Sequence, residues 1–186
     1  MFGCNEVIEN VTNWLNEILK NISLKQPSKN EEGYELVNPK AYSMFIPIAE
    51  MGDRENFPAP CVLVQFSEST NYLKNQTGNV NIILHIMVWN PGTHHNETSK
   101  LPETLMKYER NADGVRDALF VADLISGELR KTGQINHHRI VDNGIKIYPY
   151  KEQNAIIDFY PYFFMDMEFT VENYFAQTSK NYENLL

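Results

Sequence analysis

From residue 163 to residue 171 the chain alternates in a way that only an extended strand can use. Phe163, Met165, Met167, Phe169 and Val171 occupy one parity; Phe164, Asp166, Glu168 and Thr170 occupy the other. A period of two places successive side chains on opposite faces of a sheet, so one face here is core and the other carries carboxylates. Any fold for this chain must therefore include a sheet with one fully apolar side.

A second long strand, Val80 to Trp89, complicates that picture. Val80, Ile82, Leu84, Ile86 and Val88 are uniformly apolar, but the opposite parity holds Asn81, Ile83, His85, Met87 and Trp89, which is no solvent face. Leu63 poses the same question on the preceding strand, Cys61 to Phe66, which Pro58 and Pro60 introduce. Each large apolar side chain removed from water is worth ~1.5–3 kcal/mol, so leaving several exposed forgoes a sum comparable to a domain's net stability. The second face is therefore expected to be covered, either by a helix of the same chain or by a neighbouring subunit.

Two amphipathic helices are expected. Val7, Ile8, Val11, Leu15, Ile18, Leu19 and Ile22 recur at helical spacing between about Asn5 and Asn21. The other helix runs from an Asn111 N-cap to Gly133, with Asp113 and Asp117 near its positive end and Arg130 and Lys131 near its negative end. Its stripe reads Val115, Ala118, Leu119, Ala122, Ile125 and Leu129, the alanines suggesting close approach to a sheet.

Tyr34–Val37 and Met44–Ile48 are short strand candidates, weakened by Pro39 and Pro47. Asn143-Gly144 between apolar runs predicts a β-hairpin across Ile140–Ile147, because both central residues of such a turn take positive φ. Ala155–Tyr160 and Phe163–Val171 form a further strand pair turning near Pro161. The order predicts an α+β fold: a mainly antiparallel sheet packed by two amphipathic helices, with a C-terminal extension. Residues 1–171 read as a single domain with a surface insertion at about 91–110, in which Pro102–Tyr108 is a candidate short helix. Residues 172–186 read as an interaction tail. That tail keeps Tyr174, Phe175, Tyr182, Leu185 and Leu186, which are expected to dock on the same domain or on a neighbouring subunit.

Composition narrows the partners. The 186-residue chain has a net charge of −8, which argues against a nucleic-acid binder held by phosphate contacts. Two cysteines, Cys4 and Cys61, are too few for a disulfide framework and fit a reducing compartment. The N-terminus lacks a basic and apolar leader, and no apolar run nears the ~20 residues that cross a bilayer. A soluble, cytoplasmic chain with no membrane partner is expected, and the Asn-x-Ser/Thr triplets at Asn75 and Asn96 are read as chance matches.

Catalytic signals are faint. His94-His95 and His137-His138 invite a metal, but neighbours on an extended chain face opposite ways, and no HExxH or CxxC is present. No metal site and no cofactor is expected. A Cys61–His85 nucleophile pair is conceivable if their strands adjoin, yet no motif supplies an orienting group or an oxyanion site. Asp158, Asp166 and Glu168 fit a wet strand face better than a hydrolase pair. The aromatics of Tyr148-Pro149-Tyr150 and Phe159-Tyr160-Pro161-Tyr162 lack accompanying cations and read as packing groups rather than a stacking platform.

One resemblance gathers these elements. The N-terminal helix is followed by Pro60-Cys61-Val62-Leu63-Val64 and a long strand ending in Val88-Trp89. A helix then begins at Asp113-Gly114-Val115-Arg116-Asp117-Ala118-Leu119, and a late strand reads Phe163-Phe164-Met165-Asp166-Met167-Glu168-Phe169. Over about residues 5 to 171, this layout is similar to tail terminator (tail completion) proteins of long-tailed phages and phage-tail-like particles. The resemblance implies a non-enzymatic, homohexameric ring that ends growth of the tail tube and offers a surface to a head or collar. Its partners would be copies of itself, the tail tube and sheath proteins, and a head or neck connector. It would be assembled in a bacterial host's cytoplasm and then carried in the particle. Leu63, Ile83, His85, Met87 and Trp89, with Tyr174, Phe175, Leu185 and Leu186, would lie between subunits, and Asp166 and Glu168 would face an acidic channel that DNA can slide through. The long 91–110 segment and the extension depart from the family's layout, leaving a neighbouring neck or collar component as the alternative. A small metal-dependent hydrolase is the alternative from another class.

Overall fold

A computed structural model describes residues 3–28, 33–47, 58–72, 77–94, 108–109, 111–152, 155–156 and 159–174. In chain order the elements are α1 (Cys4–Leu19), β1 (Leu24–Pro27), β2 (Tyr34–Val37), β3 (Lys40–Ser43), β4 (Cys61–Tyr72), β5 (Thr77–Trp89), β6 (Thr93–His94) and β7 (Tyr108–Glu109). They continue with α2 (Asp113–Thr132), β8 (Gln134–Ile135), β9 (His138–Arg139), β10 (Lys146–Pro149), β11 (Lys151–Glu152), β12 (Ala155–Ile156) and β13 (Tyr162–Tyr174). The fold is α+β with a mostly antiparallel sheet. Its main sheet has the order β10-β13-β5-β4-β3, and only the β3–β4 pair is parallel.

The alternating segment found in the sequence sits at the centre. β13 pairs with β5 without a register shift from Tyr162↔Trp89 to Tyr174↔Thr77, three residues past Val171, so Glu172, Asn173 and Tyr174 belong to the sheet. The side chain of Tyr174, and residues Phe175, Leu185, Leu186 and Asp158, lie outside the described positions, as do most of the 91–110 segment with its candidate short helix, His95 and Ile48.

Val7, Ile8, Val11, Leu15 and Leu19 of α1 share one hydrophobic cluster with Ala118, Val121, Ala122, Ile125 and Leu129 of α2. Val62, Val64, Ile82, Leu84, Ile86, Met165, Met167 and Phe169 of the strands belong to the same cluster. The helices thus contribute to one side of the sheet. On α2 the buried stripe is rotated from the expected one: Val115 and Leu119 are exposed, and Val121 and Ser126 take their place. Close approach dictates this, because Gly114 lies directly against the Phe163 ring and a β-carbon there would collide with it. Asn111 acts at the helix start by an Asx contact, its Oδ1 accepting from the Asp113 N–H at 2.9 Å, while Ala112 occupies the N-cap position itself. Gly133 closes the helix at φ 62°, the left-handed geometry glycine tolerates, with its N–H donating to Leu129 O.

Two expectations are corrected. The Asn143-Gly144 segment does not make a hairpin. Ile140 bridges Val171 and β10 pairs with residues 165–168, so both flanks join the same neighbour, β13. Of the two turn residues only Gly144 has positive φ, whereas the predicted turn needs both; a long unpaired strand edge outcompeted a local turn. The strand expected at Met44–Ile48 lies earlier, at β3, because Pro47 has no N–H to donate and Met44 takes φ 64°, where the extended chain ends. The turn near Pro161 is present, closed by the Phe159↔Tyr162 bridge, but among the described residues the strand before it is the short β12, which pairs with β11 instead of β13.

Both edges of the main sheet are blunted. The Asn16 amide on α1 mimics a strand against β3: Nδ2 donates to Ala41 O at 3.2 Å and Oδ1 accepts from the Ala41 N–H at 2.9 Å. On the other edge, β10 carries Lys146 and Pro149, residues that discourage strand addition. Asn38 covers the end of α1, donating Nδ2 to the carbonyls of Lys20 and Ile22.

Candidate functional site

The face of the sheet opposite the α1–α2 core divides into an apolar end and a polar middle. At the apolar end, Cys61, Met87, Trp89 and Ala59 are buried together, with Tyr42, Ile46, Tyr162 and Phe164 packed around them. Met87 and Trp89 were expected between subunits, yet they are 9% and 8% exposed. Tyr42, Ile46, Tyr162 and Phe164 of the same chain pack around them, so their burial is reached without a partner.

The middle is different. The register sets Leu63 and Asp166 on either side of His85, and Gln65 and Glu168 on either side of Ile83. His85 Nδ1 lies 2.7 Å from Asp166 Oδ1, and its Nε2 lies 3.2 Å from Gln65 Oε1. Gln65 is oriented in turn, its Nε2 donating to Met44 O at 2.9 Å. The His85 ring is thereby held between Asp166 and Gln65. Glu168 accepts a 2.6 Å hydrogen bond from the Tyr148 hydroxyl and lies 3.6 Å from Lys146 Nζ. Burial, then that hydrogen bond, then the charges of Glu168 and Asp166 push the Tyr148 phenol up. Beyond these, Thr170 donates to Asn81 Oδ1 at 2.6 Å and accepts from Asn143 Nδ2 at 2.8 Å.

Asp166 is 8% exposed and held by His85, and Glu168 is half-buried between a phenol and an ammonium. What remains partly open on this face is a patch of Leu63, Gln65, Ile83, His85, Tyr148 and Glu168, all half-buried. Of the residues expected between subunits, Leu63, Ile83 and His85 are brought together here.

Cys61 and His85 do lie on adjoining strands, one alternate position apart in the register. The thiol is nevertheless sealed in the apolar end, where burial pushes its pKa up to about 12. A protonated, inaccessible thiol is no nucleophile. Gln65 and Tyr148 complete the polar network; nothing in the sequence marked Gln65, and Tyr148 was read only as a packing aromatic.

A second cluster lies away from this face. His138 is the first residue of β9, and His137 lies in the turn between β8 and β9, where Asn136 takes φ 52°. That left-handed residue breaks the extended alternation, and the two rings come to 4.1 Å between centroids rather than diverging. Glu6 of α1 faces them, its Oε1 3.6 Å from His137 Nε2. His138 is fully buried, and desolvation, then the neighbouring His137, hold its pKa below the usual 6.5. No protein-family model matches this sequence, and no curated protein matches it.

Proposed function

We propose that this chain is a structural, non-enzymatic subunit that caps the end of a phage-type tail tube, stopping its growth and presenting a surface for a head or collar. In this reading copies of the chain form a closed ring, expected to be a hexamer, seated on the tube in contact with tube and sheath proteins. The observation that carries it is the half-open middle of the sheet face opposite the helices. There Leu63 and Ile83 sit half-buried beside an internally satisfied polar network. An apolar centre with a polar surround, whose charges are already paired, is the anatomy of a protein contact surface. With Asn16 on one edge, and Lys146 and Pro149 on the other, strand addition is disfavoured, so association would proceed through this face. The order of elements supports the tail-terminator form of the idea, with a neck or collar adaptor of the same particle as the alternative. Against a thiol hydrolase stands the buried, protonated Cys61.

The test is electron microscopy of particles made with the gene deleted. Tails of uncontrolled length, or with unstable ends, are expected. Normal capped tails would overturn the proposal, and capped tails lacking only heads or a collar would favour the adaptor form.

A further inference from the structure

We propose that Glu6, His137 and His138 form a binding site for one divalent transition-metal ion of the zinc type, held between the first turn of α1 and the β8–β9 hairpin. Each residue offers one donor atom, and the three donor atoms lie within 4.8 Å of one another. Ligands about 2.0–2.1 Å from a tetrahedral zinc ion are spaced roughly 3.3 Å apart. Glu6 Oε1 and His137 Nε2, at 3.6 Å, already match that spacing. The remaining closure falls to side chains able to move, since those of His137 and Glu6 are 50% and 29% exposed.

His138 supplies the rigid part. It is fully buried, with Asn10 Nδ2 3.0 Å from its Nε2 and a hydrogen bond to the Glu172 backbone. Asn10 stands one helical turn after Glu6, so one face of α1 meets the histidine segment twice. Metal-binding imidazoles generally donate one ring N–H to a carbonyl or carboxylate, the role the Glu172 backbone takes here.

The donor set selects the metal. Two imidazoles and one carboxylate suit zinc and its borderline neighbours, whereas calcium and magnesium favour all-oxygen shells. With three protein ligands, the fourth position is left to water. The ion would tie the N-terminal helix to the segment that follows α2, two regions distant in sequence. This inference does not depend on the tail-cap reading.

The experiment uses tag-free full-length protein, stripped with a chelator, dialysed and titrated with Zn2+ by calorimetry, with Co2+ absorption reporting on coordination. One ion per chain is expected, with a tetrahedral visible Co2+ spectrum and a raised unfolding temperature on adding Zn2+. His137→Ala, on an exposed side chain whose loss should leave the fold intact, is expected to weaken binding about 10-fold or more and remove the thermal shift. Glu6→Gln should weaken binding in the same direction, and a combined His94→Ala and His95→Ala variant should bind normally. The proposal is overturned by an absence of saturable binding, by affinity unchanged in both His137→Ala and Glu6→Gln, or by binding lost in the His94/His95 variant instead.

Discussion

His85 and Asp166 meet across β5 and β13 with Nδ1 and Oδ1 2.7 Å apart, and Asp166 is almost wholly withdrawn from solvent. Removing one member of such a pair leaves the other desolvated without its partner, at a cost of about 1–3 kcal/mol. His85→Ala, which strands the carboxylate, is expected to be at least as destabilising as Asp166→Ala. Urea denaturation of both single variants and the double variant should give a double-variant loss well below the sum. Additivity within about 0.5 kcal/mol would show that the pair is not coupled.

Gly114 in the first turn of α2 is predicted to be intolerant for steric reasons. Gly114→Ala places a β-carbon against the Phe163 ring, which is itself packed against the core. The expected loss is about 1–3 kcal/mol of stability, as for other overpacked sites. Adding Phe163→Leu should recover part of it, a pattern a mere helix-propensity effect would not produce, since glycine to alanine alone favours a helix.

Cys61 ties stability to alkaline pH. Its folded-state pKa is raised from 9.0 to about 12, so the folded chain holds the thiol proton at a pH where the unfolded chain has released it. The contribution is complete below about pH 9 and is lost as pH rises towards 12. Between those limits wild-type stability should fall relative to Cys61→Ala by up to ~1.4 kcal/mol per pH unit. Denaturant midpoints measured from pH 8 to about 11 check this; parallel curves for the two proteins would refute it. In the native protein, thiol-modifying reagents should label Cys4 well before the sealed Cys61.

Ile83 separates assembly from folding. Ile83 is half-buried at the centre of the open patch, between Gln65 and Glu168 in the register. In Ile83→Lys the long stem can cover the same apolar surface while its ammonium reaches water. Thermal unfolding of the isolated chain should change by a few degrees or less, yet the variant should fail to rescue tail-end defects in a deletion strain. Full rescue would remove this face from the contact surface.

How much of this was legible in the sequence can be seen element by element. The alternation at 163–171 placed β13 correctly, and the α1 pattern and the Gly133 stop were read almost to the residue, because period and terminal chemistry are local properties. The Asn143-Gly144 signal was equally clear and failed, since a turn preference worth little was set against pairing along the edge of β13. Met87 and Trp89 looked like interface residues because sequence shows apolarity without showing which distant segment closes over it.

The amino-acid order by itself determined which side chains share a strand face or a helix stripe, for these follow from the fixed geometry of the backbone over a few residues. Only tertiary structure decided that His85 pairs with Asp166 and Gln65, that β13 draws both flanks of the Asn-Gly segment, and that a glutamate of the first helix meets two histidines beyond the second. Those meetings depend on sheet order and on one left-handed residue, Asn136, through contacts between segments far apart along the chain, which no local pattern encodes.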